Sequence, residues 1–495
     1  MPAADPALLR RPAVELAAMI RRGELAAVDL TQAALDRIAE LDGRVNAFID
    51  VWAEEALEAA AAIGPGDPRP FAGVPTAIKN NRGVAGKRLT LGASFTEDDV
   101  APSDHNVTRR LRGAGFVLVG STNLPEWGIT PVTRPRRFGP TRNPWDLERT
   151  PGGSSGGAAA AVAAGMLPVA HGNDGGGSIR IPAACCGLVG LKSQRGRVSL
   201  APDLGHHLLV VDGMLTRTVA DAAATLDVLA GYETGDVAWA PPAAASFADL
   251  ARRGLEPNGI GRPLRIAVAT TPPLDGDPDP VDLDAARRAA ELLSGLGHRV
   301  EEVDAPWQLP GLLELFTASF GPGIASQIRV AELRRGRDVT PEDVEALSWE
   351  MWQRATAMRS VDYLLADGAV QAVGRQIVTW ADPYDVILTP ALGSAPVAIG
   401  DLDPDGPDPM DGFRRGGHFT PYTALGNVTG SPAITLPLFA RPAADPAAGM
   451  PLGVQLLGRP ADEATLLALA SQLEAAAPWS DRVAPLALEP QADRA

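Results

Sequence analysis

Two glycine and serine runs are the places where this chain could do chemistry. The first is Pro151-Gly152-Gly153-Ser154-Ser155-Gly156-Gly157. The second, beyond an alanine-rich stretch, is His171-Gly172-Asn173-Asp174-Gly175-Gly176-Gly177-Ser178-Ile179-Arg180. Glycine accepts positive φ and lets backbones approach closely, so each run can turn several N–H groups toward one point, as an anion or oxyanion site requires. A serine in such a run becomes a nucleophile when a neighbour takes its hydroxyl proton. Surface turns or a flexible linker share this composition. A linker, however, would not resume at once with the apolar run Ile181-Pro182-Ala183-Ala184-Cys185-Cys186-Gly187-Leu188.

Motif tests narrow the chemistry. The only Gly-Lys pair, Gly86-Lys87, is followed by Arg88, so a nucleotide P-loop fails, and no G-x-G-x-x-G follows a convincing strand. G-x-S-x-G is met twice, on Ser154 and on Ser155, which keeps an α/β-hydrolase esterase open with His298 or His418 as its base. Neither histidine sits in a motif suited to that role.

The elements that must position these residues alternate between helix and strand. Apolar residues recur at three and four positions through Leu8, Leu9, Val14, Leu16 and Ile20, then Leu35, Ile38 and Leu41, which predicts consecutive amphipathic helices. Val74 to Ile78 reads as a short strand leading to Lys79, and a helix at Arg109 to Gly113 precedes a strand at Phe116 to Gly120. Strands recur near Leu264 to Ala269, His298 to Val303 and Val386 to Leu388, a pattern of α/β architecture. Glu233 to Pro263, rich in Ala, Pro and Gly, reads as a surface loop and weak boundary. Leu312 to Trp380 reads as a helical block able to cover a pocket. The tail after Leu488 is polar and expected to be mobile.

Composition sets the outer limits. With 45% hydrophobic and 21% charged residues over 495 positions, the chain buries a sizeable core and is too apolar to be disordered. A net charge of −16 disfavours phosphate backbones and anionic membranes, so no direct nucleic-acid or membrane partner is expected. Neither an export signal nor about eighteen consecutive apolar residues occurs, which makes a cytoplasmic location the expectation. Cys185 and Cys186 are adjacent, which excludes a disulfide framework and a multi-cysteine metal site; they read as small buried hydrophobes.

Gly152-Gly153-Ser154-Ser155-Gly156-Gly157 followed by Asp174-x-Gly176-Gly177-Ser178-Ile179-Arg180-x-Pro182-Ala183 resembles the signature of the amidase signature family. The resemblance extends upstream to Gly73-Val74-Pro75-x-x-x-Lys79, through Thr122-Asn123-x-x-Glu126 and Asn143-Pro144-Trp145, and downstream to Gly430-x-Pro432-Ala433 and Pro451-Leu452-Gly453-Val454-Gln455. It implies an α/β amidase signature fold, with a mixed central β-sheet covered on both faces by α-helices. It also implies one domain over residues 1–495, with a catalytic core at 69–220, a more variable helical pocket cover at 232–382 and a mobile tail at 489–495. Carried over residue by residue, it makes Ser178 the nucleophile, Ser154 the bridging serine usually held by a cis peptide bond, and Lys79 the base. The N–H groups of Gly175, Gly176, Gly177 and Ser178 become the oxyanion hole. Ser155, Asp174 and Arg180 support them, and an exposed Asp174–Arg180 pair would add little stability. Gly128-Ile129-Thr130 takes the place of the substrate-pocket lining, whereas Trp127 and His171 read as packing residues. The scheme needs no metal or other cofactor.

Two departures from the family pattern bear on the site. Asn80-Asn81 replaces an aspartate directly after the lysine, which makes a neutral amine easier to reach. A third glycine, in Gly175-Gly176-Gly177, is expected to loosen the oxyanion loop. Within the family, Pro168 to Asp174 and Ser348-Trp349-Glu350-Met351 are most similar to hydrolases of cyclic nylon oligomers, aryl-acylamidases and urethanases. The partners implied are a small-molecule amide or carbamate and water, with a homodimer as candidate assembly. The alternatives are the amidase subunit of a tRNA-dependent amidotransferase and a non-catalytic binding protein on the same scaffold.

Overall fold

Short strands, most of them buried along their length, organise the chain around two sheets. The computed structural model describes residues 5–203, 209–257 and 259–489. In it β1 (Phe48–Val51), β2 (Pro75–Lys79) and β3 (Val117–Thr122) form a three-stranded sheet in the order β1-β3-β2. β2 runs parallel to β3, with Lys79 opposite Thr122, and β1 runs antiparallel to it.

The remaining strands are β4 (Ala170–Asp174), β5 (Val189–Lys192), β6 (Val211–Thr216), β7 (Arg265–Val268), β8 (Arg299–Glu302), β9 (Val386–Pro390), β10 (Ala433–Ala440) and β11 (Pro451–Gly458). They form one sheet in the order β4-β6-β5-β10-β11-β9-β7-β8. β7 is parallel to β8 and β9, and the other pairs are antiparallel, so the sheet is mixed as expected, with helices on both faces. The two sheets meet where β2 lies against β4. There Thr76 Oγ1 donates to the Val169 carbonyl at 3.0 Å and the Lys79 N–H to His171 Nδ1 at 3.2 Å.

The segments between these strands explain the small residues of the sequence. The helix Gly156–Ala163 is buried along its whole length, which only glycine, alanine and one valine allow at this spacing. A Cβ on Gly157 would come within 2.5 Å of the Ala47 carbonyl oxygen and the Asn123 nitrogen, so β1 and β3 close directly onto this helix. The helix Arg180–Cys186 ends on Gly187 at φ 73°, a left-handed stop that suits glycine, and it buries both cysteines.

One sequence expectation is corrected here. Glu233 to Pro263 is not wholly loop: it contains the helix Phe247–Arg253, whose first turn is capped where the Asp249 N–H donates to Ser246 Oγ at 3.1 Å. Phe247, Leu250 and Ala251, at helical spacing, bury one face, a periodicity too short to stand out among the prolines and alanines. The block from Leu312 is helical as expected, in Leu312–Arg335, Ala346–Ala357 and Ser360–Ala381. The tail expected to be mobile lies, from residue 490 onward, outside the described residues. Among the described residues no helix is long and apolar enough to cross a membrane.

The close approach at Gly157 makes a direct prediction. Gly157→Ala should lower the unfolding free energy by about 2 kcal/mol or more, since backbone and not a flexible side chain opposes the added methyl. Urea unfolding measures this, and an unchanged midpoint would contradict the packing described.

Candidate active site

Three residues far apart in sequence converge because the ends of β2 and β4 lie side by side. Lys79 closes β2 with its side chain wholly buried. Ser154 precedes the helix Gly156–Ala163, and its peptide bond to Gly153 is cis. Ser178 sits in the turn between β4 and the helix Arg180–Cys186. The Lys79 amine donates to Ser154 Oγ at 2.7 Å and to Asn173 Oδ1 at 2.6 Å. Ser155 ties the two glycine-rich loops together. Its N–H donates to the Ser178 carbonyl at 3.2 Å, its hydroxyl to the Asn173 carbonyl at 3.2 Å, and it accepts the Asn173 N–H at 3.3 Å.

The surroundings of this amine favour its neutral form. Burial first, and then the nearby Arg82 guanidinium, push Lys79 well below its ordinary value of 10.5. Asp174 and Asp212 pull the other way, but each carboxylate is committed to an arginine. Arg82 Nε donates to both oxygens of Asp212 at 2.9 Å. Arg180 reaches Asp174 through Nε at 3.0 Å and Nη2 at 2.9 Å. The Asp174–Arg180 pair is therefore fully buried, not the exposed pair considered from sequence. Burial works against the Asp174 charge, yet Arg180 and the Asn427 amide outweigh it and hold the carboxyl down at about 2. Burial lowers His171 below its ordinary value, and the buried ring accepts the Lys79 N–H, in keeping with a structural role.

A cavity of about 540 Å³ opens over the serines. Ser154, Ser178, Asn173, Gly175 and Gly176 line it, as do Gly128, Ile129 and Thr130. Trp127 also lines it, while being 3% exposed and held at φ 53°. The helical cover contributes Phe316, Phe320 and Ile324, and Phe413 joins them from a later segment. Neither His298 nor His418 reaches this cavity. His298 accepts the Leu264 N–H at 3.2 Å and pairs with Gln472 at 2.9 Å, which removes the base that an α/β-hydrolase reading needs.

The four expected oxyanion donors are not equivalent. The Gly177 N–H donates to Asp174 Oδ1 at 2.8 Å and is turned away from the cavity, so it is not free for an oxyanion. The N–H groups of Gly175, Gly176 and Ser178 meet no acceptor among the described residues. The loop that a third glycine was expected to loosen is thus held by a carboxylate. Sequence reasoning also missed Asn173 as partner of the lysine, though it lies inside the motif. It missed as well the outer contacts of Arg180, whose Nη2 meets Asn427 Oδ1 and whose Nη1 meets Gln455 Oε1, both at 2.6 Å. Asn427 and Gln455 lie 247 and 275 residues away, and although Gln455 closes a segment of the family resemblance, nothing in that segment marks it as a partner of Arg180.

The sequence profile of the family described as Amidase matches residues 29–467. The 6-aminohexanoate-cyclic-dimer hydrolase of Paenarthrobacter ureafaciens is 36% identical over 492 residues, covering 96% of this chain and 96% of that protein. A solved structure of 6-aminohexanoate cyclic dimer hydrolase complexed with substrate superposes with a TM-score of 0.89 at 34% identity, covering 97% of this chain and 99% of that one. A bacterial aryl acylamidase of the amidase signature family superposes with a TM-score of 0.86 at 27% identity, over 98% and 100% of the two chains.

The buried amine should register in the stability of the whole protein. Between its lowered native value and 10.5, Lys79 binds a proton only when the chain unfolds, so stability rises with pH across that window. The slope should approach about 1.4 kcal/mol per pH unit beyond that of Lys79→Met, which has no such proton to bind. Urea unfolding of both proteins from pH 8 to 10 measures the difference, and parallel profiles would refute a neutral Lys79.

Proposed function

Since the chain belongs to the amidase signature family, we propose that it hydrolyses the C–N bond of a small-molecule amide or carbamate, with Ser178 as nucleophile, Ser154 as proton relay and Lys79 as base. The observation that carries this reading is the wholly buried lysine hydrogen-bonded to Ser154, which lines a cavity shared with Ser178, with burial favouring the neutral amine. A serine hydroxyl attacks poorly until its proton has somewhere to go, and a neutral amine supplies the lone pair.

In this mechanism Ser178 Oγ attacks the carbonyl carbon while its proton passes through Ser154 to Lys79 Nζ. The developing oxyanion is held by the N–H groups of Gly175, Gly176 and Ser178, each a contribution of about 3 kcal/mol. When the tetrahedral intermediate collapses, the C–N bond breaks. The proton returns from Lys79 through Ser154 to the departing nitrogen, leaving Ser178 acylated. Water, deprotonated along the same relay, attacks the ester, releases the acid and restores the serine.

The cavity supports the substrate class. Its volume lies in the range of about 300–1,000 Å³ usual for small-molecule sites, and Trp127, Ile129, Phe316, Phe320 and Phe413 make one wall apolar. Such a wall suits an aryl or alkyl substituent of the kind found in acylanilides, urethanes and nylon oligomers. A carbamate differs from an amide by one oxygen on the carbonyl, so one relay and one oxyanion loop serve both.

The test is release of nitroaniline from an acyl-nitroanilide and from a matched N-nitrophenyl carbamate. Ser178→Ala should lower turnover by about 10⁴-fold or more, and Lys79→Ala should depress it strongly. Near-normal activity in either variant would refute the assignment. The ratio of the two wild-type rates places the enzyme between acylamidase and urethanase. A wild-type chain inactive on both would favour an amidotransferase subunit that needs its partners.

A further inference from the structure

We infer that Thr423 is a positioning residue that aims the oxyanion loop, acting through the peptide between Gly176 and Gly177 without touching substrate. This inference rests on the reading above, in which residues 175–178 hold the oxyanion.

Thr423 lies 247 residues beyond Gly176 in the chain, yet its hydroxyl donates to the Gly176 carbonyl at 2.7 Å. The other face of the same peptide is also taken, because the Gly177 N–H donates to Asp174 Oδ1 at 2.8 Å. A planar peptide has its C=O and N–H pointing in opposite directions, so gripping both fixes its rotation about the chain. The two amides that flank it, Gly176 N–H and Ser178 N–H, then have their directions set. Three successive glycines would otherwise let these amides sample many orientations, and a preorganised donor outperforms one that must be oriented during reaction.

The grip closes on itself. The Thr423 carbonyl accepts Arg180 Nη1 at 2.5 Å, and Arg180 in turn holds the Asp174 carboxylate that binds the Gly177 N–H. Thr423 is fully buried and is not part of the cavity wall, although Thr420, Pro421, Ala424 and Leu425 beside it are. A Cβ on Gly177 would collide with Thr423 Oγ1, so the glycine and the hydroxyl occupy mutually dependent positions. Loss of the hydroxyl should therefore cost transition-state stabilisation and leave ground-state binding in place.

The experiment uses the full chain with Thr423→Val, which keeps the side-chain shape without the hydroxyl, Thr423→Ser, which keeps the hydroxyl, and Thr423→Ala as a second hydroxyl-free variant in case the valine does not fold. Near-UV circular dichroism selects folded proteins. Turnover of the acyl-nitroanilide and affinity for a trifluoromethyl ketone, which forms a tetrahedral adduct on serine, are then compared. The expected result for the folded hydroxyl-free variant is a kcat about tenfold to hundredfold lower, KM within about twofold, and ketone affinity reduced by the factor seen in kcat. Thr423→Ser should recover most of the kcat. Wild-type kcat in a hydroxyl-free variant, a loss confined to KM, or no rescue by serine would overturn the inference. Ser178→Ala is run in parallel. If that protein keeps its turnover, it is the serine mechanism that fails, whereas a dead Ser178→Ala beside a fully active Thr423→Val defeats only the role of Thr423.

Discussion

A buried lysine amine with no carboxylate in direct contact is the constraint on which the rest of the structure depends. Its immediate partners, Ser154 and Asn173, are neutral, and the two nearby carboxylates are each paired with an arginine. This pairing has a specific electrostatic effect. An unpaired Asp174 or Asp212 beside Lys79 would favour the ammonium form, and burial alone would then compete with a strong local field. Arg180 and Arg82 cancel those fields at their source. Buried ion pairs are weak contributors to stability in general, so their presence here is better explained by the protonation state they protect than by any gain in folding free energy.

The backbone is shaped around that requirement. Lys79 is buried because β2 ends against β4, and the helix that follows Ser154 can be inserted beside them only because Gly156–Ala163 carries no large side chain. The dense packing of this region contrasts with the cavity wall, where Phe316 and Phe320 stack with ring centres 5.7 Å apart on the helix Leu312–Arg335. The densely packed part supplies Lys79, Ser154 and Ser178, and the later segments give the cavity its shape. Such a division lets the apolar wall change without moving the lysine, because among the described residues the Lys79 amine bonds Ser154 and Asn173, and none of Trp127, Ile129, Phe316, Phe320 and Phe413 bonds to Lys79 or Ser154.

How much of this could be read from sequence depended on how locally each feature was encoded. Lys79, Ser154 and Ser178 were legible because each lies in a contiguous motif of unusual composition, and the strand before Lys79 was visible as a short apolar run. The α/β pattern was legible for the same reason. The pairing of Arg82 with Asp212 was not, since the two residues are 130 positions apart and each looks like an ordinary charge. The inequality of the four amides expected to form an oxyanion hole was hidden differently. Four consecutive amides look alike in a sequence, and only the direction of the Asp174 carboxylate removes Gly177 from the set. The helix Phe247–Arg253 was obscured by flanking prolines and alanines, where one buried face of seven residues is too short a signal.

The joint between the two halves is itself polar and buried. Glu126, beside the pocket residues Trp127 and Gly128, accepts the Glu345 N–H at 2.8 Å and the Ser348 hydroxyl, which ties the pocket floor to the helix Ala346–Ala357. Burial pushes Glu126 up to about 7, so near neutral pH this carboxyl can hold either state while keeping its position through these two donors. The Glu345 carboxyl, raised by burial and by Glu126, accepts the Arg136 N–H at 2.7 Å and continues the joint to the segment beyond Thr130. Thr423 makes the corresponding connection on the opposite side of the cavity, from a later segment to the Gly176 carbonyl. The later segments of the chain are thereby fastened at two points close to the serines. Differences in substrate among relatives can then arise between these fastenings, in apolar side chains that alter the volume and leave the register of the reacting groups intact.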